Sequence, residues 1–148
     1  MREIRQIVAP VDFNRHSDVL ADYAFYMAKK LGARLTFIHV VKQLPDYSDF
    51  DAATLQQLEQ NFVAHAEKKM AEFMEKIHRN GQECTGEVLY GNVADAIIQY
   101  AHDKEIDLIV ISTHGAQGIE KVFVGIVADL IIKGAHCLTL VFNPFKGE

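Results

Sequence analysis

The sequence predicts an α/β domain: a doubly wound, five-stranded parallel sheet with helices on both faces. Three observations predict it. Short apolar runs alternate with segments of helical period along the whole chain. Those runs are dense in Val, Ile and Leu, as strands covered on both faces must be. The joints between them carry Gly, Pro, Asn and Ser, residues that end strands and cap helices.

Ile4 to Asp12 reads as a buried strand ending at Pro10 or soon after. Asn14 to Ser17 is turn-like, and Ser17 is suited to cap a helix on which Leu20, Ala21, Ala24, Ala28 and Leu31 recur at helical spacing. Gly32 stops that helix. Arg34 to Val41 is a second strand. Lys42 to Asp51, with Pro45 and several acids, is linker-like but too short to separate domains. From Ala52 to His78 the set Leu55, Leu58, Phe62, Ala66, Met70, Phe73 and Ile77 steps by three and four, which predicts one buried stripe on an amphipathic helix. Asn80-Gly81 ends it. Cys84 to Tyr90 is the third strand, and Gly91-Asn92 leads into a helix with Val93, Ala94, Ile97, Ile98 and Ala101 on its inner face. Asp107 to Ser112 is the most apolar strand. A Gly-containing loop, Thr113 to about Val124, precedes a last helix with Val127, Leu130 and Ile131, and His136 to Phe142 is the fifth strand. Right-handed crossovers leave only a few doubly wound topologies for this order.

With 148 residues, 49% of them hydrophobic, the chain reads as one domain over residues 1–148. The net charge of −5, with no basic cluster longer than Lys29-Lys30 or Lys68-Lys69, argues against nucleic acid or an anionic membrane as partner. The amino-terminal residues lack the apolar stretch of a signal peptide, and no apolar run approaches the roughly 18 residues of a membrane helix. Cys84 and Cys137 lie far apart without a CxxC, as expected of reduced thiols in a cytoplasmic protein.

In doubly wound sheets ligands sit outside the carboxyl ends of the strands, where the winding reverses. That rule nominates Pro10 to Asp12, Val40 to Val41, Tyr90-Gly91 and Ser112 to Gly115. Asp12 can accept hydrogen bonds from an amine on a ligand, or serve only as a helix-entry residue. Ser112 to Gly118 lies between strand and helix, where glycine lets backbone N–H groups approach an anion and the helix terminus adds partial positive charge. It is neither a GxxxxGK[ST] loop nor a GxGxxG fingerprint. A receiver-type reading fails, because Asp12 has no acidic neighbour and Tyr90-Gly91 offers no acceptor Asp. None of the seven histidines forms a ligand-spaced set, so no metal site is expected. His114 borders the loop without a nucleophile or orienting carboxylate beside it, and no catalytic constellation is evident.

Ile7 to Asp12, the His39-Val40 that ends the second strand, Ile109 to Gly115, Val124 to Asp129 and the closing Cys-Leu-Thr-Leu-Val strand together resemble the universal stress proteins. The similarity runs through essentially the whole chain in the right order. It implies strand order 3-2-1-4-5 and dimers paired through the last strand, here 136–142. That strand carries no charge to blunt an exposed edge. Some members bind ATP through Gly-x2-Gly-x9-Gly-Ser/Thr. The resemblance then implies a nucleotide site of Pro10, Val11, Asp12, Val40, Ile111, Ser112, Gly115, Gly125, Ile126 and Val127. Asp12 and the backbone of Val40 would meet adenine, and the loop would meet ribose and phosphates. This chain reads Ser112-x2-Gly115-x9-Gly125-Ile126 instead. The closing hydroxyl has become Ile126, which removes a phosphate donor while the adenine side is kept.

The expected function is therefore a stress-response regulator, not an enzyme, with a pocket for ATP or another adenine nucleotide and a weakened phosphate end; whether Mg accompanies it is open, and slow nucleotide hydrolysis is not excluded. The alternative is a dimeric protein-interaction module with a vestigial pocket, acting on a protein partner the sequence does not identify.

Overall fold

The computed structural model describes residues 2–45, 49–113 and 125–144. Strands β1 (Gln6–Pro10), β2 (Arg34–Lys42), β3 (Thr85–Gly91), β4 (Leu108–Ser112) and β5 (Leu138–Phe142) alternate with helices α1 (Ser17–Leu31), α2 (Ala52–Arg79), α3 (Val93–Asp103) and α4 (Ile126–Gly134). The strands form one parallel sheet in the order β3-β2-β1-β4-β5. The strand order and the helices on both faces are as the sequence and its resemblance imply.

Strand alternation divides the core in two. Ile7, Ala9, Leu35, Phe37, Leu108 and Val110 face α1 and the second half of α2. Val8, Ile38, Val40, Ile109 and Ile111 face α3 and α4. β1 is central, and its Ile7, Val8 and Ala9 are sealed on both sides. Gly32 ends α1 in the left-handed region at φ 64, a conformation that favours glycine, and its N–H bonds the carbonyl of Ala28. At the amino rim the side chain of Asp107 ties β4 to β1 by accepting from the N–H groups of Arg5 and Gln6 at 2.9 and 3.0 Å.

Three local expectations are corrected. Ser17 does not cap α1. It is the first helical residue, buried, and its hydroxyl donates to Asp12 at 3.3 Å, while His16 occupies the cap position and its side chain does not cap the helix. The edge strands are displaced slightly, β3 running to Gly91 and β5 starting at Leu138, because pairing with Lys42 and Leu108 sets those ends. The stripe on α2 is buried only from Ala66 to Ile77, and Leu58 and Phe62 face solvent. The reason is length: 28 helical residues span about 42 Å, against about 23 Å for the seven residues of β3. The first half of α2 overhangs the carboxyl rim, where Tyr90, at the end of β3, donates to Glu59.

Cys84 and Cys137 precede the two edge strands on opposite sides of the sheet, and both are free and half-buried. Burial pushes the Cys84 thiol up to about 11 and raises that of Cys137 as well, so neither is an activated thiolate. Among the described residues no helix is long and apolar enough to cross a membrane.

Candidate nucleotide site at the carboxyl rim

Pro10 closes β1, and the chain leaves the sheet through Val11, whose N–H bonds the carbonyl of Ile38 at 2.8 Å. Val11 is buried with the α1–α2 core. Asp12 follows and is exposed. Its carboxylate accepts from the backbone of Asn14 at 3.2 Å, the amide of Asn14 at 3.0 Å and the hydroxyl of Ser17 at 3.3 Å. These bonds form an Asx-type turn that opens α1. Two carboxylate oxygens offer about four acceptor positions, so three local donors leave room for one more.

The next residue, Phe13, stands at φ 63, which is uncommon for a bulky side chain. Its ring lies 4.5 Å from His39 and 6.0 Å from Phe73. His39 is half-buried, and its Nδ1 lies 2.7 Å from the carbonyl of Val11. A carbonyl only accepts, so Nδ1 carries the proton.

On the other side of β1, Ile111 is buried and Ser112 ends β4. Val40 and Ile111 belong to the same α3–α4 cluster, so they flank the end of β1 on one face of the sheet. Thr113 continues the ladder by donating to the carbonyl of Phe142, and its own carbonyl accepts from Gly125 at 2.9 Å. That bond seats the start of α4 against the end of β4. A Cβ on Gly125 would stand 2.9 Å from the same Thr113 oxygen, so this close approach requires glycine. Gly125 is the cap of α4, with no side-chain bond. Position 126 is therefore the first helical residue, so a serine there would not be the cap. The first bond inside α4 runs from Asp129 to Gly125, which leaves the preceding N–H groups without intrahelical partners.

Ile126 is 81% exposed and belongs to neither core cluster of the described residues, and Val127 is also exposed. Gly115 and His114 lie outside the described residues. The fold thus gathers Pro10, Val11, Asp12, Val40, Ile111, Ser112, Gly125, Ile126 and Val127 along the carboxyl ends of β1, β2 and β4. Sequence reasoning missed the part played by Phe13 and assigned His39 only to a strand. The alternation of β2 places His39 with Leu35 and Phe37, but nothing in the residue type foretells a phenylalanine at positive φ. Two clefts among the described residues open at the opposite, amino rim. One, of about 360 Å³, is lined by Arg2, Arg5, Arg34 and Asp107, and the other runs beside Phe25, Tyr26 and Cys84.

The sequence profile of the universal stress protein family matches residues 3–143. A universal stress protein of Methanocaldococcus jannaschii is 32% identical over 97% of this chain and 85% of its own length. The solved universal stress protein UspA of Lactobacillus plantarum superposes with a TM-score of 0.81 at 25% identity, covering 96% of this chain and 99% of that one. A universal stress protein of Arabidopsis thaliana, solved with AMP bound, superposes with a TM-score of 0.59 at 18% identity over 94% and 91% of the two chains. A sheet of this order and a family match over nearly the whole sequence lead to one conclusion: the chain belongs to the universal stress protein family.

Proposed function

We propose that this chain is a stress-response regulator that binds an adenine nucleotide, ATP or a relative of it, at the carboxyl rim and does not turn it over. The observation that carries the reading is that Asp12 and the start of α4 stand at the carboxyl ends of two neighbouring strands, β1 and β4. An exposed carboxylate with acceptor capacity left stands at the end of β1, and Gly125 brings a helix amino terminus against the end of β4. The first suits the amine of adenine, and the second suits phosphate. The solved relative with AMP supports the same ligand class. Mg enters, where it is present, as the counter-ion of the triphosphate. The half-buried free thiols suit a reducing cytoplasm.

Calorimetric titration with ATP and AMP tests the reading, with Asp12→Ala beside the wild type. The variant is expected to lose about tenfold in affinity and about 1 kcal/mol or less of stability, since it gives up one ligand bond and only long, exposed local bonds. A larger stability loss with unchanged affinity would make Asp12 a helix-entry residue and nothing more.

A second reading, a dimeric interaction module with a vestigial pocket, is favoured by the apolar surface of Ile126, Leu130, Ile132 and Leu138, all exposed. Both readings include a homodimer through strand 136–142. β5 is an edge strand, and an unpaired apolar edge is a hazard that proteins pair or cover. Thr139→Pro removes a donor from that edge. Light scattering is expected to show the mass of the folded variant halved. An unchanged mass would move the interface elsewhere.

A further inference from the structure

We propose that His39 and Phe13 form a clamp, beneath the sheet from the ligand side, that holds Asp12 in position and so sets the base preference of the rim. The inference rests on the nucleotide reading above and names what makes that site selective. Asp12 is fixed through its neighbours on both sides. Before it, the Val11 peptide is held twice, by its N–H to Ile38 at 2.8 Å and by its carbonyl to Nδ1 of His39 at 2.7 Å. After it, Phe13 turns through φ 63 and lays its ring 4.5 Å from that same imidazole, with Phe73 6.0 Å away on its edge. Phe73 in turn stands edge-on to the fully buried Phe37 at 5.3 Å.

A bulky residue keeps such a backbone only when its surroundings over-determine it. Here they do, and one side chain, His39, serves both flanks. The clamp belongs to the α1–α2 side of the sheet: Val11 and Phe13 pack with that cluster, and Leu35 and Phe37 share the alternation of His39. Val40 and Ile111, which flank the proposed adenine site, belong to the opposite side. His39 is thus a positioning residue that does not touch the ligand. Without it the Val11 carbonyl loses its partner and Phe13 loses a wall. The turn at Asp12–Phe13 is then free to relax, and the carboxylate is governed by Asn14 and Ser17 alone.

The test compares ATP with purine riboside 5′-triphosphate, which lacks the 6-amino group, by calorimetry on the full chain. His39→Phe keeps a ring against Phe13 but has no donor, and His39→Asn keeps a donor near the position of Nδ1. The wild type is expected to prefer ATP by about tenfold, the worth of one well-placed hydrogen bond. His39→Phe should lose most of that preference, and His39→Asn should keep most of it. In an Asp12→Ala background His39→Phe should change the preference no further, because the two act through one interaction. Thermal unfolding is followed in parallel, and His39→Leu replaces His39→Phe if the latter does not fold. A donor-less variant that keeps the wild-type preference overturns the clamp and leaves the nucleotide reading standing. So does one that loses both triphosphates in equal proportion. A wild type that binds neither triphosphate overturns both.

Discussion

Ile126→Ser is expected to tighten ATP binding by roughly ten- to a hundredfold, the worth of about 1.5–3 kcal/mol for a hydrogen bond to a charged group. Adenosine affinity should not change. The side chain stands at the first residue of α4, beside N–H groups that the helix does not use. Isoleucine there is 81% exposed, so its removal sacrifices little packing. A core isoleucine would be different, since truncation would cost several kcal/mol and confuse the result. The gain should come from the added donor and not from capping, because Gly125 occupies the cap. Calorimetry with ATP, AMP and adenosine on both proteins separates the outcomes. Equal gains for ATP and adenosine would place the effect outside the phosphate end. No binding by either protein would favour the interaction module.

Phe37→Ala should cost about 3–5 kcal/mol of stability, a large part of the about 5–15 kcal/mol that holds a domain together. Phe37 is fully buried on β2 and packs edge-to-face with Phe25 at 5.6 Å and Phe73 at 5.3 Å. Removing the ring leaves a void where three aromatic residues meet, and parallel strands on both sides of β2 keep the backbone from closing it. Phe62→Ala is the control. Its ring is 48% exposed on the overhang of α2, and the loss should stay within about 0.5 kcal/mol. Urea unfolding of the three proteins measures both. Similar losses for Phe37 and Phe62 would mean that the first half of α2 is covered in solution.

The order of elements was legible because strands buried on both faces must read as apolar runs, and Ile7 to Ala9 and Ile109 to Ile111 do so. Helix ends were legible where glycine is required, as at Gly32. Periodicity, however, reports which side chains share a face and not whether anything stands opposite. That is why Leu58 and Phe62 read like Ala66 and Met70 and yet lie in solvent. The candidate site divides the same way. Gly125 could be picked out by its place in the loop pattern, and its physical reason is the carbonyl of Thr113. The positive φ of Phe13 could not, since the rings that pack against it, His39 and Phe73, are distant in sequence. Ser17 misled for a related reason: several polar residues in a row can open a helix, and the hydrogen bonds of Asp12 decide between them.

The overhang of α2 gives that helix a gradient along its length. From Ala66 onward each turn leans on the sheet, so it can open only when the domain does. Ahead of Ala66 few side chains are buried, and unwinding from Asp51 inward gives up backbone bonds, the Asp51 cap and the Tyr90–Glu59 contact but almost no core. Changes to the length or sequence of such a segment are expected to disturb little beyond those contacts. The sheet specifies where this helix must end, and leaves where it begins free to vary.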